Sequence, residues 1–175
     1  MKTARAVLPL LVLLTACGTA SITTRPTWRD PRVPIASKAD FDARAFAGSW
    51  HEVARLPGTP GCAGARLTVA AEGTGLARRT ACPTGAATTD RLDVAPLGRL
   101  EGPDGPLWVL WTDTGYRTAI VVAPDGTAGQ ILDRSPMLPA DRRRAALEVL
   151  DFNGFDTAAL IYSQPNSQAL STRFE

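Results

Sequence analysis

The chain has 175 residues, 45% of them hydrophobic, with 19 Lys and Arg against 17 Asp and Glu and a single histidine. A charge balance this close to neutral argues against nucleic acid as a partner, and a single His beside two Cys expected to bridge to each other cannot supply the ligands of a typical zinc site, so no metal or other cofactor is expected. The length suits one domain with one core, and no internal repeat is present.

Residues 1–16, MKTARAVLPLLVLLTA, place Lys2 and Arg5 ahead of an apolar run from Ala6 to Leu14. That run is too short to span a bilayer as a stable helix and has the form of a secretory signal that is removed. The tetrapeptide Leu14-Thr15-Ala16-Cys17 resembles the bacterial lipobox, in which a peptidase cuts before a cysteine that becomes acylated. Cys17 is therefore the expected lipid attachment site and mature N-terminus, with each buried CH₂ of its acyl chains adding about 0.8 kcal/mol to membrane attachment. Gly18 stands where an aspartate would signal inner-membrane retention, so the resemblance to Gram-negative lipoproteins implies a periplasm-facing anchor in the outer membrane. Loss of Lys2 and Arg5 leaves 17 basic residues against 17 acidic ones. Residues 17–39, with Pro26, Pro31 and Pro34 among polar residues, read as a lipidated N-terminus and an extended tether.

Residues 40–165 form the expected domain. Segments rich in Val, Leu, Ile, Thr and Trp recur between Gly, Pro and Asp clusters and predict strands at 49–56, 65–71, 76–81, 89–95, 107–112, 117–123 and 129–134. The stretch DVAPLGRLEGPDGP leaves room for only a short strand at 98–102, which lowers the open rim on that side. Pro124-Asp125-Gly126 and Asp104-Gly105 supply turn chemistry. One helix is predicted over 139–151: Pro139 in its first turn, Asp141 where the helix dipole favours an anion, and Asn153-Gly154 at its end. Ala146, Leu147 and Leu150 share its apolar face, and Arg142-Arg143-Arg144 reads as a solvated one. Residues 156–165 return to strand composition, and 166–175 form a tail. The expected fold class is all-β, an eight-stranded antiparallel up-and-down β-barrel with one C-terminal α-helix packed on it, because closure removes exposed sheet edges.

With Cys17 acylated outside the cytoplasm, Cys62 and Cys82 are expected to pair in a disulfide of about 3 kcal/mol under the chain-entropy model. The alternative is a reactive thiol, which lacks a nearby His or a Cys-x-x-Cys partner.

FDARAFAGSWHEVARLP, WTDTGYRTAIVVAPDG and GQILDRSPMLP resemble, in order, the three conserved blocks of the lipocalin family, and FNGFDTAALIYSQP is similar to the end of its bacterial outer-membrane members. The likeness covers most of the mature chain. It implies the calycin-type barrel and a structural set comprising Gly48, Trp50, Thr112, Asp113, Tyr116 and Arg134, with Arg134 packed across the Trp50 ring at the closed end. It also implies binding of a small hydrophobic ligand, a fatty acid or lysophospholipid, inside the barrel.

Strand alternation from Trp50 sends Glu52, Ala54 and Leu56 inward and His51, Val53 and Arg55 outward. The same alternation from Arg134 sends Leu132 and Gln130 inward. Glu52, Ala54, Gln130 and Leu132 are the ligand-facing candidates, and Gln130 stands where relatives often carry an aromatic. A buried Glu52 requires a partner: Arg134, a backbone amide, a water or a ligand head group. Ser49 and His51 share the outer face but have no third orienting acid, so a hydrolase is not expected. The competing class is an envelope lipoprotein with a packed, ligand-free barrel that docks partners through residues such as Trp28 and Trp108.

Overall fold

The computed structural model describes residues 25–163. Cys17, the signal at 1–16 and the tail at 166–175 lie outside the described residues. A short helix α1 (Ala43–Phe46) precedes eight strands, β1 (Gly48–Arg55), β2 (Arg66–Glu72), β3 (Gly75–Ala81), β4 (Ala87–Ala95), β5 (Arg99–Gly102), β6 (Gly105–Thr112), β7 (Thr118–Val122) and β8 (Gly129–Asp133). Helix α2 (Ala140–Phe152), a 3₁₀ turn at Thr157–Ala159 and a two-residue strand β9 (Ile161–Tyr162) follow. Each of β2 to β8 pairs with its sequence neighbour, and β1 pairs antiparallel with both β8 and β2, so the sheet closes into the expected barrel.

Two apolar clusters hold the molecule together. The interior one gathers Trp50, Leu67, Leu76, Leu92, Leu100 and Leu132. The other lies outside the wall, where Val53, Ala54, Leu56, Ile120 and Ile131 meet Ala146 and Leu150 of α2. Fully burying a Leu- or Ile-sized side chain contributes about 1.5–3 kcal/mol, so each cluster is worth far more than any single polar contact. Alternation along the strands separates the two: Leu132 faces in and Ile131 faces out.

That alternation breaks in β1. Glu52 pairs with Leu132 and Ala54 with the next residue, Ile131, so Val53 is the extra residue of a β-bulge. Beyond it the phase reverses. Ala54 and Leu56 join the outer cluster beneath α2, and Arg55 comes round to the face of Glu52. The inward orientation expected for Ala54 and Leu56 and the outward one for Arg55 are both corrected by this single inserted residue.

Helix α2 is pinned as well as packed. Arg142 bonds to both carboxylate oxygens of Asp133 at 3.0 Å, and the Thr118 hydroxyl donates to the same carboxylate at 2.5 Å. Arg142 thus leaves the solvated face on which the arginine run placed it, while Arg143 and Arg144 stay exposed. The last predicted strand shrinks to β9 because the Asp156 side chain caps a 3₁₀ turn by accepting from Ala158 N–H. Residues 27–38 are no free tether. They carry little regular structure, but Trp28 N–H donates to Gly126, Asp30 N–H to Gly154 and Lys38 N–H to Val109, which straps this segment along the barrel.

Candidate functional site

One end of the barrel is plugged. Trp50 is fully buried beneath the Arg134 guanidinium, which lies 3.6 Å from the ring centroid, a cation–π arrangement worth about 0.5–2 kcal/mol. Arg134 also donates to the carbonyls of Ser49 at 2.9 Å, Ala47 at 2.8 Å and Tyr116 at 3.1 Å, so one side chain joins α1, β1 and the β6–β7 turn. Gly48 has φ +109°, and a Cβ there would stand 2.9 Å from the Arg134 Nη1, which explains a glycine two residues before the tryptophan. Helix α1 starts where the Asp42 carboxylate accepts from Arg44 and Ala45 N–H, and it sends Phe46 onto the Trp50 ring.

Tyr116 holds the same end, its hydroxyl accepting from Asp42 N–H at 2.8 Å. Asp113 accepts from Thr118 N–H and from the Arg117 backbone and guanidinium. Burial works to raise its pKa, but these donors prevail and hold the carboxyl below its usual range. Thr112 is buried beside it. These six residues cluster at one end of the barrel, which they close, leaving its interior to the other end.

That interior contains a cavity of about 360 Å³. Its floor is apolar, with Phe46, Val69, Leu92, Leu100 and Leu132. The mouth is formed by the β1–β2 loop at Thr59–Cys62, the β5–β6 turn at Pro103-Asp104, and Ala128-Gly129. The shortness of β5 brings that turn to the rim. Cys62 and Cys82 form a disulfide, Cα–Cα 5.8 Å, that joins the β1–β2 loop to the β3–β4 turn across the mouth. Gln130 and Leu132 line the cavity, whereas Ala54 does not.

Glu52 also lines the cavity, only 3% exposed. Its partners are Arg55 Nη1 at 3.4 Å and Gly64 N–H at 3.1 Å, not Arg134. Burial pushes its pKa from 4.5 up to about 7, and the Arg55 charge and the Gly64 N–H recover only part of the shift. Arg55 in turn donates to the carbonyls of Thr59, Pro60 and Gly61, fastening the loop over the mouth. His51 lies on the outer wall with Arg66 as its polar neighbour, 3.4 Å away. Partial burial and the Arg66 charge lower its pKa.

Residues 68–165, more than half of the chain, match the lipocalin-like domain family. The chain belongs to that family. Membership makes this lipocalin a binding barrel for a small hydrophobic ligand rather than a catalyst. Insecticyanin from the tobacco hornworm Manduca sexta superimposes with a TM-score of 0.58 at 23% identity, over 82% of this chain and 89% of that one. Lobster apocrustacyanin A1 gives 0.54 at 17% identity over 83% and 95%, and apocrustacyanin C1 gives 0.56 at 17% over 77% and 92%. At such identities the likeness is one of fold. No curated protein matches the chain in sequence.

Sequence alternation alone passed over polar groups in and beside the lipocalin cavity. Arg55 was hidden by the bulge. Arg78 and Asp90 stand directly opposite each other on β3 and β4 and pair inside the barrel at 3.0 Å. Their signal is the inward phase of Leu76 and Leu92, which selects Arg78 and Asp90 from ARRT and TDRL once the register is known.

Proposed function

We propose that this lipocalin carries a single-chain amphiphile, a fatty acid or lysophospholipid, in the envelope of a Gram-negative bacterium, where Cys17 anchors it to the outer membrane facing the periplasm. The observation that carries the ligand reading is the cavity of about 360 Å³, apolar at its floor and polar nearer its mouth. Pockets of roughly 300–1,000 Å³ that combine an apolar lining with a few polar groups are the usual form of small-ligand sites. A packed, ligand-free barrel would not leave such a space, because protein interiors fill to the density of organic crystals.

The anchor reading rests on Leu14-Thr15-Ala16-Cys17 behind a signal-like run, and the disulfide between Cys62 and Cys82 suits a compartment outside the cytoplasm. Metabolic labelling with a tagged palmitate tests the anchor: label on the wild type and none on Cys17→Ser is expected, and label on both would refute it. Native mass spectrometry of protein released gently from its own envelope membranes tests the cargo. The expected spectrum shows one acyl-chain lipid per polypeptide, and a uniformly empty chain would refute the carrier.

A further inference from the structure

Among the described residues, Arg78 is the only Lys or Arg lining the cavity. Its Nη2 donates to Asp90 Oδ2 at 3.0 Å, but its Nε is buried without a hydrogen-bond partner among the described residues. Nε and a terminal nitrogen form one edge of the planar guanidinium, a fork that fits the two oxygens of a carboxylate or phosphate. Asp90 occupies half of that fork. A buried donor left unmet costs about 1–3 kcal/mol, so such positions in native proteins call for an explanation.

The surroundings give the seat a direction. Leu76 and Leu92 are the next inward residues toward the closed end, both buried, and Leu100 lies on the same apolar floor. Toward the mouth the next inward pair is Thr80 and Thr88, directly opposite each other and both lining the cavity. A cation with one open donor therefore stands at the boundary between an apolar floor and a polar wall.

We infer that Arg78 seats an anionic oxygen head group, carboxylate or phosphate, of the ligand, whose chain runs from there toward Leu92 and Leu100. Asp90 acts against this seat as much as it orients it. It holds the guanidinium against the wall, yet its own carboxylate competes for the donors and repels an anion. This inference rests on the carrier reading, and it assigns that carrier's selectivity to one side chain.

The test is displacement of the neutral probe N-phenyl-1-naphthylamine from the intact protein by three ligands of equal chain length: dodecanoic acid, dodecyl phosphate and dodecan-1-ol. The anions are expected to bind about tenfold or more tightly than the alcohol, as a charge-assisted hydrogen bond requires. That preference should collapse in Arg78→Gln and widen in Asp90→Asn, an increase that mere loss of structure cannot produce. Preference for the acid alone identifies the fatty-acid source of the head group, and for the phosphate alone the phospholipid one; either supports the seat. Equal binding of acid, phosphate and alcohol, or unchanged preference in both variants, overturns the seat and leaves the carrier reading standing. Failure of all three to displace the probe overturns the carrier reading and the seat with it.

Discussion

Replacing Glu52 by Gln tests the claim that burial, more than the Arg55 charge, governs the carboxyl at the cavity wall. In the folded protein Glu52 titrates at about 7, and in the unfolded chain near 4.5. Between those values the folded state holds a proton that the unfolded state has lost. Wild-type stability therefore falls as pH rises from about 4.5 through about 7, and is undiminished below that window. At 1.36 kcal/mol per unit of pKa, the wild type loses about 3 kcal/mol over it. The side chain is 3% exposed, so solvent screening takes little from this figure. Gln cannot titrate, keeps the shape, and can still accept from Gly64 N–H. Any constant cost of leaving Arg55 beside a neutral group is present at low pH in both proteins. Asp113 and His51 titrate identically in both and cancel. Urea denaturation at pH 4.5, 6 and 8 should show the stability of Glu52→Gln relative to wild type climbing by about 3 kcal/mol across the series. A flat difference would mean that Glu52 titrates alike in the folded and unfolded chain, and a difference that falls with rising pH would show the ion pair with Arg55 to be dominant.

Three further outcomes follow from the packing. Arg142→Ala leaves the fully buried Asp133 without its cation, so a loss of about 3–5 kcal/mol in chemical denaturation is expected, whereas Arg143→Ala and Arg144→Ala should stay within about 0.5 kcal/mol; equal effects of all three would contradict the pinning of α2. Gly48→Ala forces a Cβ against Arg134 at a positive φ and should cost about 1–3 kcal/mol, read as a lowered Tm; an unchanged Tm would mean the plug is slack. The Cys62→Ser/Cys82→Ser double variant should lose about 3 kcal/mol, since the bridge spans 20 residues, and thermal unfolding of wild type under reducing conditions should match it.

The barrel was readable because its determinants are local. Val, Leu and Ile runs between turn residues mark strands, and the crowding of Gly and Pro around residues 96–106 marks a short β5. Trp50 and Arg134 were readable through a family pattern, and the structure brings their side chains together at 3.6 Å. What escaped depends on register. Alternation carries the phase of a strand only until a residue is inserted, so the bulge at Val53 exchanged the faces of Ala54 and Arg55. Arg78 and Asp90 look like ordinary surface charges until the β3–β4 pairing sets them opposite each other and inward. In the run of three arginines, only docking of α2 decides that Arg142 meets Asp133. Helix α1, at four residues, has too little periodicity to be seen in the sequence.

The carrier reading puts the ligand in the barrel interior. Gln130 lines the cavity on β8, a position whose enlargement removes cavity volume without touching the closed-end plug. The decisive measurement is the stoichiometry of acyl-chain binding to delipidated wild type and to Gln130→Trp, with folding of both checked by circular dichroism. One chain per barrel in the wild type and a loss of binding in a folded Gln130→Trp is the predicted result. Undiminished binding in the variant would put the ligand elsewhere, and no binding in the wild type would mean that the barrel is no lipid carrier.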